Sequence, residues 1–312
     1  MTKALYLLHM NPACPVCAAP SPLMLSKDGY NLHQCDNCSL VFVQPQPTLE
    51  YLRTKVYSAE SGFQQGRAQD LSKITPSMRY RAMYKMLNDA KPGGKLLDVG
   101  SGGGHFIFHA KEYGFRVAGV ELNKRLADSA QAQGLEIYDG TLDEAGVPEG
   151  GFDVAVLGEI IEHVNDPRAL VREAARTLTP EGVMLITTPN MDCLWSRATL
   201  RLYRWFRIPW STATPPYHLF QFSASNLDLL LSQEGFERIN AMYLPPPTLR
   251  YELGSLHLLK RFKASHNPLD LAYLAFAFAL YVPLYGFCRL VHPFLRQDFS
   301  MLHLYRRKET RA

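Results

Sequence analysis

The sequence predicts an α/β protein with a small cysteine-rich ribbon in front of it. Three observations carry that prediction. Apolar strands alternate with amphipathic helices after residue 91, a glycine-rich turn joins the first of those strands to the first helix, and two close cysteine pairs precede both. At 312 residues, 47% of them apolar, the chain is long enough and greasy enough to bury a sizeable core. A net charge of +4 falls well short of the dense positive field of a dedicated nucleic-acid binder, so nucleic acid is not the expected partner. The apolar run from Leu5 to Leu8 is shorter than the core of a secretory signal, and export is not indicated.

The cysteine pairs are "CPVC" (Cys14, Cys17) and "CDNC" (Cys35, Cys38), with 17 residues between them. That spacing suits a four-thiolate structural zinc site, with a hairpin between the pairs turning at Gly29. Two disulfides or a redox pair are the competing readings, but no secretory signal and no βαβ pattern accompanies the cysteines. Reduced thiols place the protein in the cytoplasm. Cys193 and Cys288 stand alone and read as buried hydrophobes. The ribbon is assigned to residues 1–47, a helical connector to 48–90 and the α/β domain to 91–312, with an apolar helical insertion at 245–297.

In "KLLDVGSGGGHFIFHAKEYG" a strand from Lys95 to Val99 runs into glycines and then a helix whose apolar positions Phe106, Ile107 and Ala110 recur at helical spacing. A dinucleotide fingerprint requires glycine at 100, 102 and 105, and position 105 is His105. The next strand, "FRVAGVELN", ends in Glu121, where a carboxylate at the strand's carboxyl end can accept both hydroxyls of a ribose. A third strand, "LEIY", and a fourth, "FDVAVLG", follow.

The pattern D-x-G-x-G-x-G, from Asp98 through Gly100 and Gly102 to Gly104, resembles the cofactor loop of class I S-adenosylmethionine-dependent methyltransferases. "TLTPEGVMLITTPN" and "FSASNLDLLLSQEGFE" extend the likeness, which covers residues 91–244. The resemblance implies a Rossmann-like seven-stranded sheet whose sixth and seventh strands, "FERINAMYL" and "SMLHLYRRK", pair antiparallel. It also implies S-adenosylmethionine as cofactor. Asp98 suits that cofactor's ammonium and sulfonium, Thr141 and Leu142 would flank its adenine, and Gly158 joins the same wall. Within the group, "EIIEHVNDP" looks like the motif of quinone-biosynthesis O-methyltransferases. The leader "CDNCSLVFVQPQP", followed by Tyr57, is similar to the zinc-ribbon front of bacterial methyltransferases of glycan and secondary-metabolite pathways.

A helix beginning at Glu159 would put Glu159, Glu162 and His163 on one face. Three readings stand side by side: a packed helix start, His163 as the base that deprotonates a hydroxyl, and a magnesium ion held by the glutamates and the histidine. His218, in "TPPYHLFQFS", occupies a position where relatives carry a histidine and is the second acceptor-site candidate; a surface histidine is the alternative. In "WSRATLRLYRWFRIPW", Arg197, Arg201 and Arg204 form one helical stripe and Ala198, Leu202 and Trp205 another, as in a lid, a membrane-interface element or a packed helix.

Residues 271–288 are uncharged and reach the threshold length of a membrane span. Antiparallel sixth and seventh strands put both ends of the insertion on one side, so the expectation is two shorter helices divided at Pro283. They would touch one leaflet through residues 269–295 or cap the substrate mouth, with Lys260, Arg261, Lys263, Arg289 and Arg296 flanking them. Ordinary buried helices or a dimer interface are the alternatives. The function expected is methyl transfer to a hydroxyl of a small-molecule, glycan or lipid-linked acceptor, in the cytoplasm or peripherally on the inner face of the membrane. A zinc-ribbon ribosomal RNA methyltransferase and a non-catalytic module of the same fold are the rivals.

Overall fold

The computed structural model describes residues 12–57, 70–208, 210, 212–246 and 267–309. Strands β1 (Leu23–Lys27) and β2 (Tyr30–Gln34) form an antiparallel hairpin. Its turn, Asp28-Gly29, has φ of +52° and +84°, the two left-handed residues that match the twist of a tight hairpin. Strand β3 (Val41–Val43) pairs with β2. Thr48 then caps a helical turn, Leu49–Tyr51, that continues to Val56. Helix α1 (Met78–Ala90) starts at Ser77, whose side chain accepts from the Tyr80 amide.

The α/β domain follows as β4 (Lys95–Val99), α2 (His105–Ala110), β5 (Arg116–Glu121), α3 (Lys124–Gln131) and β6 (Glu136–Asp139). Next come β7 (Phe152–Gly158), α4 (Pro167–Thr177), β8 (Leu178–Pro189), α5 (Leu194–Phe206) and the short β9 (Phe220–Gln221). Helix α6 (Ala224–Gln233), β10 (Phe236–Leu244), α7 (Pro268–Val291) and β11 (Ser300–Arg307) complete it. The seven-stranded sheet has the order β10-β11-β8-β7-β4-β5-β6; β11 runs antiparallel to both neighbours and the other pairings from β8 to β6 are parallel. This is the Rossmann-like sheet the resemblance implied.

Side chains alternate across the central strands into two cores. Leu96, Val154, Val156 and Leu185 pack against α1, α2 and α3, whereas Leu97, Ala155, Leu157 and Ile186 face the other way. That second core also contains Cys14, Val16, Leu40, Phe42 and Val43 of the ribbon. The two parts are joined further by β3 pairing with β9, Phe42 opposite Phe220, so the ribbon's four-stranded sheet takes its last strand from the α/β domain. Phe42, Phe220 and Phe222 stack in sequence with centroids 6.4 and 5.9 Å apart, and burying rings of this size contributes roughly 2–3 kcal/mol each.

The insertion differs from expectation. Among its described residues one helix of 24 residues continues through Pro283 where two were expected. A proline inside a helix costs about 3 kcal/mol, and packing on both sides of it offsets that cost: Tyr281 and Tyr285 both meet the Trp195 ring of α5 edge-on, at 5.4 and 5.9 Å. The stripe on α5 differs too. Arg197, Arg201 and Arg204 are exposed as expected, but Trp205 is 71% exposed, and Trp195 is the tryptophan that packs. Lys260, Arg261 and Lys263 lie outside the described residues.

Candidate active site

A cleft of about 1280 Å³ opens at the carboxyl ends of β4, β5 and β7, beside the point where the sheet's strand order reverses. Its cofactor end is built from the main chain. Gly100 has a left-handed φ of +77°, which strains any other residue, and a Cβ there would also displace the Ile160 Cδ1, 2.4 Å away. The amides of Gly100 and Ser101 both donate to the Val120 carbonyl, at 2.8 and 2.9 Å, which ties the loop to the neighbouring strand. Glu121 is held by two more amides: Gly102 donates to its Oε2 at 2.7 Å and Asn123 to its Oε1 at 2.6 Å. Burial pushes the Glu121 carboxyl up, and those amides oppose the shift. Asp98 lies deeper, and burial, reinforced by the negative charge of Glu121, pushes it up to about 8.

Of the residues expected around a cofactor, Gly100, Gly102, Glu121, Thr141 and Leu142 line the cleft. Asp98, Gly104 and Gly158 stand behind that lining. Gly104 serves packing, because a Cβ on it would meet the Leu135 Cδ1 at 2.3 Å. Gly158 closes β7, with a virtual Cβ 4.0 Å from the Met83 methyl.

The acceptor end is where the expected helix fails. Residues 159–165 form turns, Glu159 has a φ of +54°, and the helix waits until Asp166, whose Oδ1 accepts from the amides of Arg168 and Ala169 ahead of Pro167. A positive φ at a non-glycine is uncommon and persists only where surroundings fix it. Here the Glu159 amide donates to the Thr187 carbonyl at 2.9 Å, and its Oε1 accepts from Thr187 Oγ1 at 3.0 Å and pairs with Arg79 Nη1 at 2.7 Å.

Glu159 is thereby committed to Arg79 and Thr187. The Glu162 carboxyl is only 1% exposed, neither oxygen has a hydrogen-bond partner among the described residues, and burial with the Glu159 charge beside it holds its pKa well above the usual range. His163 donates Nδ1–H to the Tyr217 carbonyl at 2.7 Å, which puts its basic lone pair on Nε2, 3.9 Å from Glu162 Oε1. His218 is held the same way, Nδ1–H to the Thr212 carbonyl at 3.2 Å, and the two imidazoles meet edge-to-face at 4.8 Å. Burial lowers both pKa values, that of His218 to about 3 with His163 adding to the effect, so both rings are neutral bases at physiological pH.

Magnesium does not fit this arrangement. The donor atoms that come together, within 4.8 Å of one another, are those of Glu162, His163 and His218. One carboxylate and two imidazoles are not the oxygen-rich set that magnesium selects, and Glu159, an expected ligand, is engaged by Arg79 and Thr187.

Residues remote in sequence complete the cleft. Tyr57 reaches it from the connector after the ribbon, its hydroxyl 3.2 Å from His163 Nδ1 and from the Tyr217 carbonyl, and its own carbonyl accepts from Asn123 Nδ2 at 3.0 Å. Lys27 and Asp28 at the hairpin tip, with Tyr203, Arg207 and Trp210, form the far wall. Among the described residues α7 contributes nothing to the lining. The local sequence identifies Asn123 as a helix cap, but nothing in it points to Arg79 or to the hairpin tip.

The four ribbon thiols converge. Cys14 and Cys38 sulfurs are 3.5 Å apart, those of Cys17 and Cys35 are 3.4 Å apart, all four lie within 4.8 Å, and none is in a disulfide. Amides of Val16, Asn37 and Cys38 point at Cys14 or Cys35 sulfur at 3.4 Å, the donors that stabilise thiolates. This all-sulfur donor set fits structural zinc. Cys193 and Cys288 are buried, and burial pushes them up to about 12 and about 11, which leaves them as inert thiols.

Residues 77–241 match the family described as Methyltransferase domain. The chain belongs to that family. It is 30% identical over 161 residues to a protein of Mycolicibacterium smegmatis named "Probable S-adenosylmethionine-dependent methyltransferase", covering 51% of this chain and 58% of that one. It is 39% identical over 105 residues to the ubiquinone biosynthesis O-methyltransferase of a Caulobacter species, covering 31% and 42% respectively. The enzyme of the same name from Xanthomonas oryzae is 34% identical over 105 residues, 31% of this chain and 44% of that one. The chain thus spans about half the length of the curated relatives it matches. The matched segment carries the glycine loop, Glu121 and the His163 turn; the cysteine ribbon and α7 lie outside it.

Proposed function

We propose that this methyltransferase-family protein moves a methyl group from S-adenosylmethionine to a hydroxyl oxygen of an acceptor held between the glycine loop and the ribbon, with His163 as general base. The observation that carries the reading is the fixed tautomer of His163: its Nδ1–H is spent on the Tyr217 carbonyl, so Nε2 offers a lone pair beside the cleft. The relatives named O-methyltransferases support oxygen as the target atom.

S-Adenosylmethionine, when bound, supplies a methyl on a positively charged sulfur, which a hydroxyl oxygen displaces in line. The chain's own residues bind, orient and deprotonate. Glu121 accepts the ribose hydroxyls, with both of its oxygens already anchored by amides. Asp98 is placed behind the loop where a cationic ligand lowers its pKa and is bound by the resulting carboxylate. His163 Nε2 takes the hydroxyl proton as the oxygen becomes bonded to carbon, and Arg79 with Thr187 holds Glu159 so that the turn carrying His163 keeps its shape. Leu49, Leu52, Tyr203 and Trp210 give the acceptor end an apolar, aromatic lining that suits a small-molecule, glycan or lipid-linked acceptor.

The test is transfer of a labelled methyl group from the cofactor into hydroxyl-bearing molecules of soluble and lipid extracts, alongside calorimetric cofactor binding. His163→Ala should bind cofactor as the parent does and lose transfer. Transfer at the parental rate by that variant sinks the base assignment, and absence of any cofactor binding by the parent sinks the whole reading.

A further inference from the structure

Helix α7 presents its apolar surface outward. Its most apolar 18-residue window has a mean hydropathy of 1.8, yet only 22% of that window is buried. Leu274, Ala277, Tyr281 and Cys288 form the docked stripe, and Leu269, Leu271, Phe276, Val282, Phe287 and Leu290 lie exposed on the rest of the surface. The docked stripe runs along most of the helix. A helix fixed lengthwise against its own protein lies along a surface and does not cross a bilayer.

The adjoining end of α5 continues the patch and gives it a charge. The Phe206 ring meets Phe276 at 5.3 Å, Trp205 stands beside Phe206 at 6.4 Å, and Arg201 is one helical turn before Trp205. Arg197, Arg201, Arg204 and Arg207 are all exposed, and among the described residues none of them enters an ion pair. An apolar face with an interfacial tryptophan, bordered by unneutralised arginines, is complementary to a bilayer with anionic headgroups. A symmetric pairing of two copies through the same face would bring their arginine rows together.

We propose that α7 and the C-terminal end of α5 form an in-plane anchor that seats the protein on an anionic lipid bilayer. This does not rest on the identity of the methyl acceptor. Because Tyr203 and Arg207 also line the cleft, the anchor brings the acceptor end of the cleft to the membrane surface.

The full zinc-loaded chain is mixed with vesicles of phosphatidylglycerol and phosphatidylcholine, or of phosphatidylcholine alone, and followed by co-sedimentation and tryptophan emission. Binding is expected on the anionic vesicles, with a blue shift arising from Trp205, since Trp195 and Trp210 are already 0% and 1% exposed. Arg201→Glu with Arg204→Glu should weaken binding by more than tenfold, about fivefold for each charge lost. Phe276→Ser with Phe287→Ser and Leu290→Ser should abolish it while cofactor binding and zinc content stay at parental values. Four results overturn the proposal: no vesicle binding by the parent, equal binding to both vesicle types, resistance to carbonate extraction as for a spanning helix, or a dimer that the three serine substitutions dissolve with vesicle binding unchanged.

Discussion

The two ends of the cleft are built on different principles. At the cofactor end, Gly100, Gly102, Glu121 and Asn123 lie within 24 consecutive residues, and the work is done by main-chain amides aimed at one carboxylate. At the acceptor end, Tyr57, Arg79, Glu159, His163, Tyr217 and His218 come from segments up to 161 positions apart, and most of the site's side chains are held by partners remote in sequence, among them the Tyr217 carbonyl. A local motif tolerates drift elsewhere in the chain, whereas a composite site depends on the whole packing. The first end should therefore fail completely when one local residue is changed, and the second should degrade by steps.

The largest effect is expected for Gly100→Val. A β-branched side chain on a left-handed backbone, beginning 2.4 Å from Ile160 Cδ1, strains the loop and crowds the Ile160 wall of the cleft, so cofactor binding should vanish in calorimetry. His163→Ala comes next, with kcat reduced about 10²- to 10⁴-fold and cofactor affinity unchanged. Since burial lowers the His163 pKa below its ordinary 6.5, the parent's activity should fall on the acid side only below that pH, and the variant should lose this limb. Equal damage to cofactor affinity would break the division between the two ends.

Chelation of the ribbon metal, or Cys35→Ser, should lower acceptor turnover more than cofactor affinity, because the hairpin tip with Lys27 and Asp28 walls only the acceptor end. Asp98→Asn separates function from stability. A carboxyl whose folded pKa is raised to about 8 from an ordinary 3.8 contributes stability that is complete below 3.8 and is lost as pH rises through 8. The variant should therefore melt higher than the ligand-free parent at pH 8.5 to 9 while binding cofactor less well; a lower melting temperature there would contradict the burial argument. The smallest effect is expected from Tyr57→Phe, which removes one hydroxyl from a pair of 3.2 Å contacts and should cost about 1 kcal/mol, near fivefold in kcat/KM.

Reading along the chain recovers the first end well and the second poorly. The glycine spacing and the strand-end carboxylate are signals within one supersecondary unit, so Asp98, Gly100, Gly102 and Glu121 fall where a β-loop-α unit has to put them. The turn at Glu159 is different. Its local pattern favours a helix carrying both glutamates and the histidine on one face, and only Arg79 from α1 and Thr187 from β8 force a left-handed residue there. His163 and His218 were both acceptor-site candidates by resemblance, but their edge-to-face contact across 55 positions has no periodicity to read.

The ribbon and the insertion show the same boundary. Cysteine spacing alone determined that four thiols gather, since two short knuckles and a hairpin leave few other geometries. Hydropathy alone marked residues 271–288 as an uncharged apolar run, but the continuity of the helix through Pro283 goes with the packing of Tyr281 and Tyr285 on Trp195 of α5. That the ribbon borrows β9 and shares a core with the sheet was likewise a tertiary matter. Sequence determines what is set by bonds and contacts a few residues long; structure decides what depends on segments that meet only after the chain has folded.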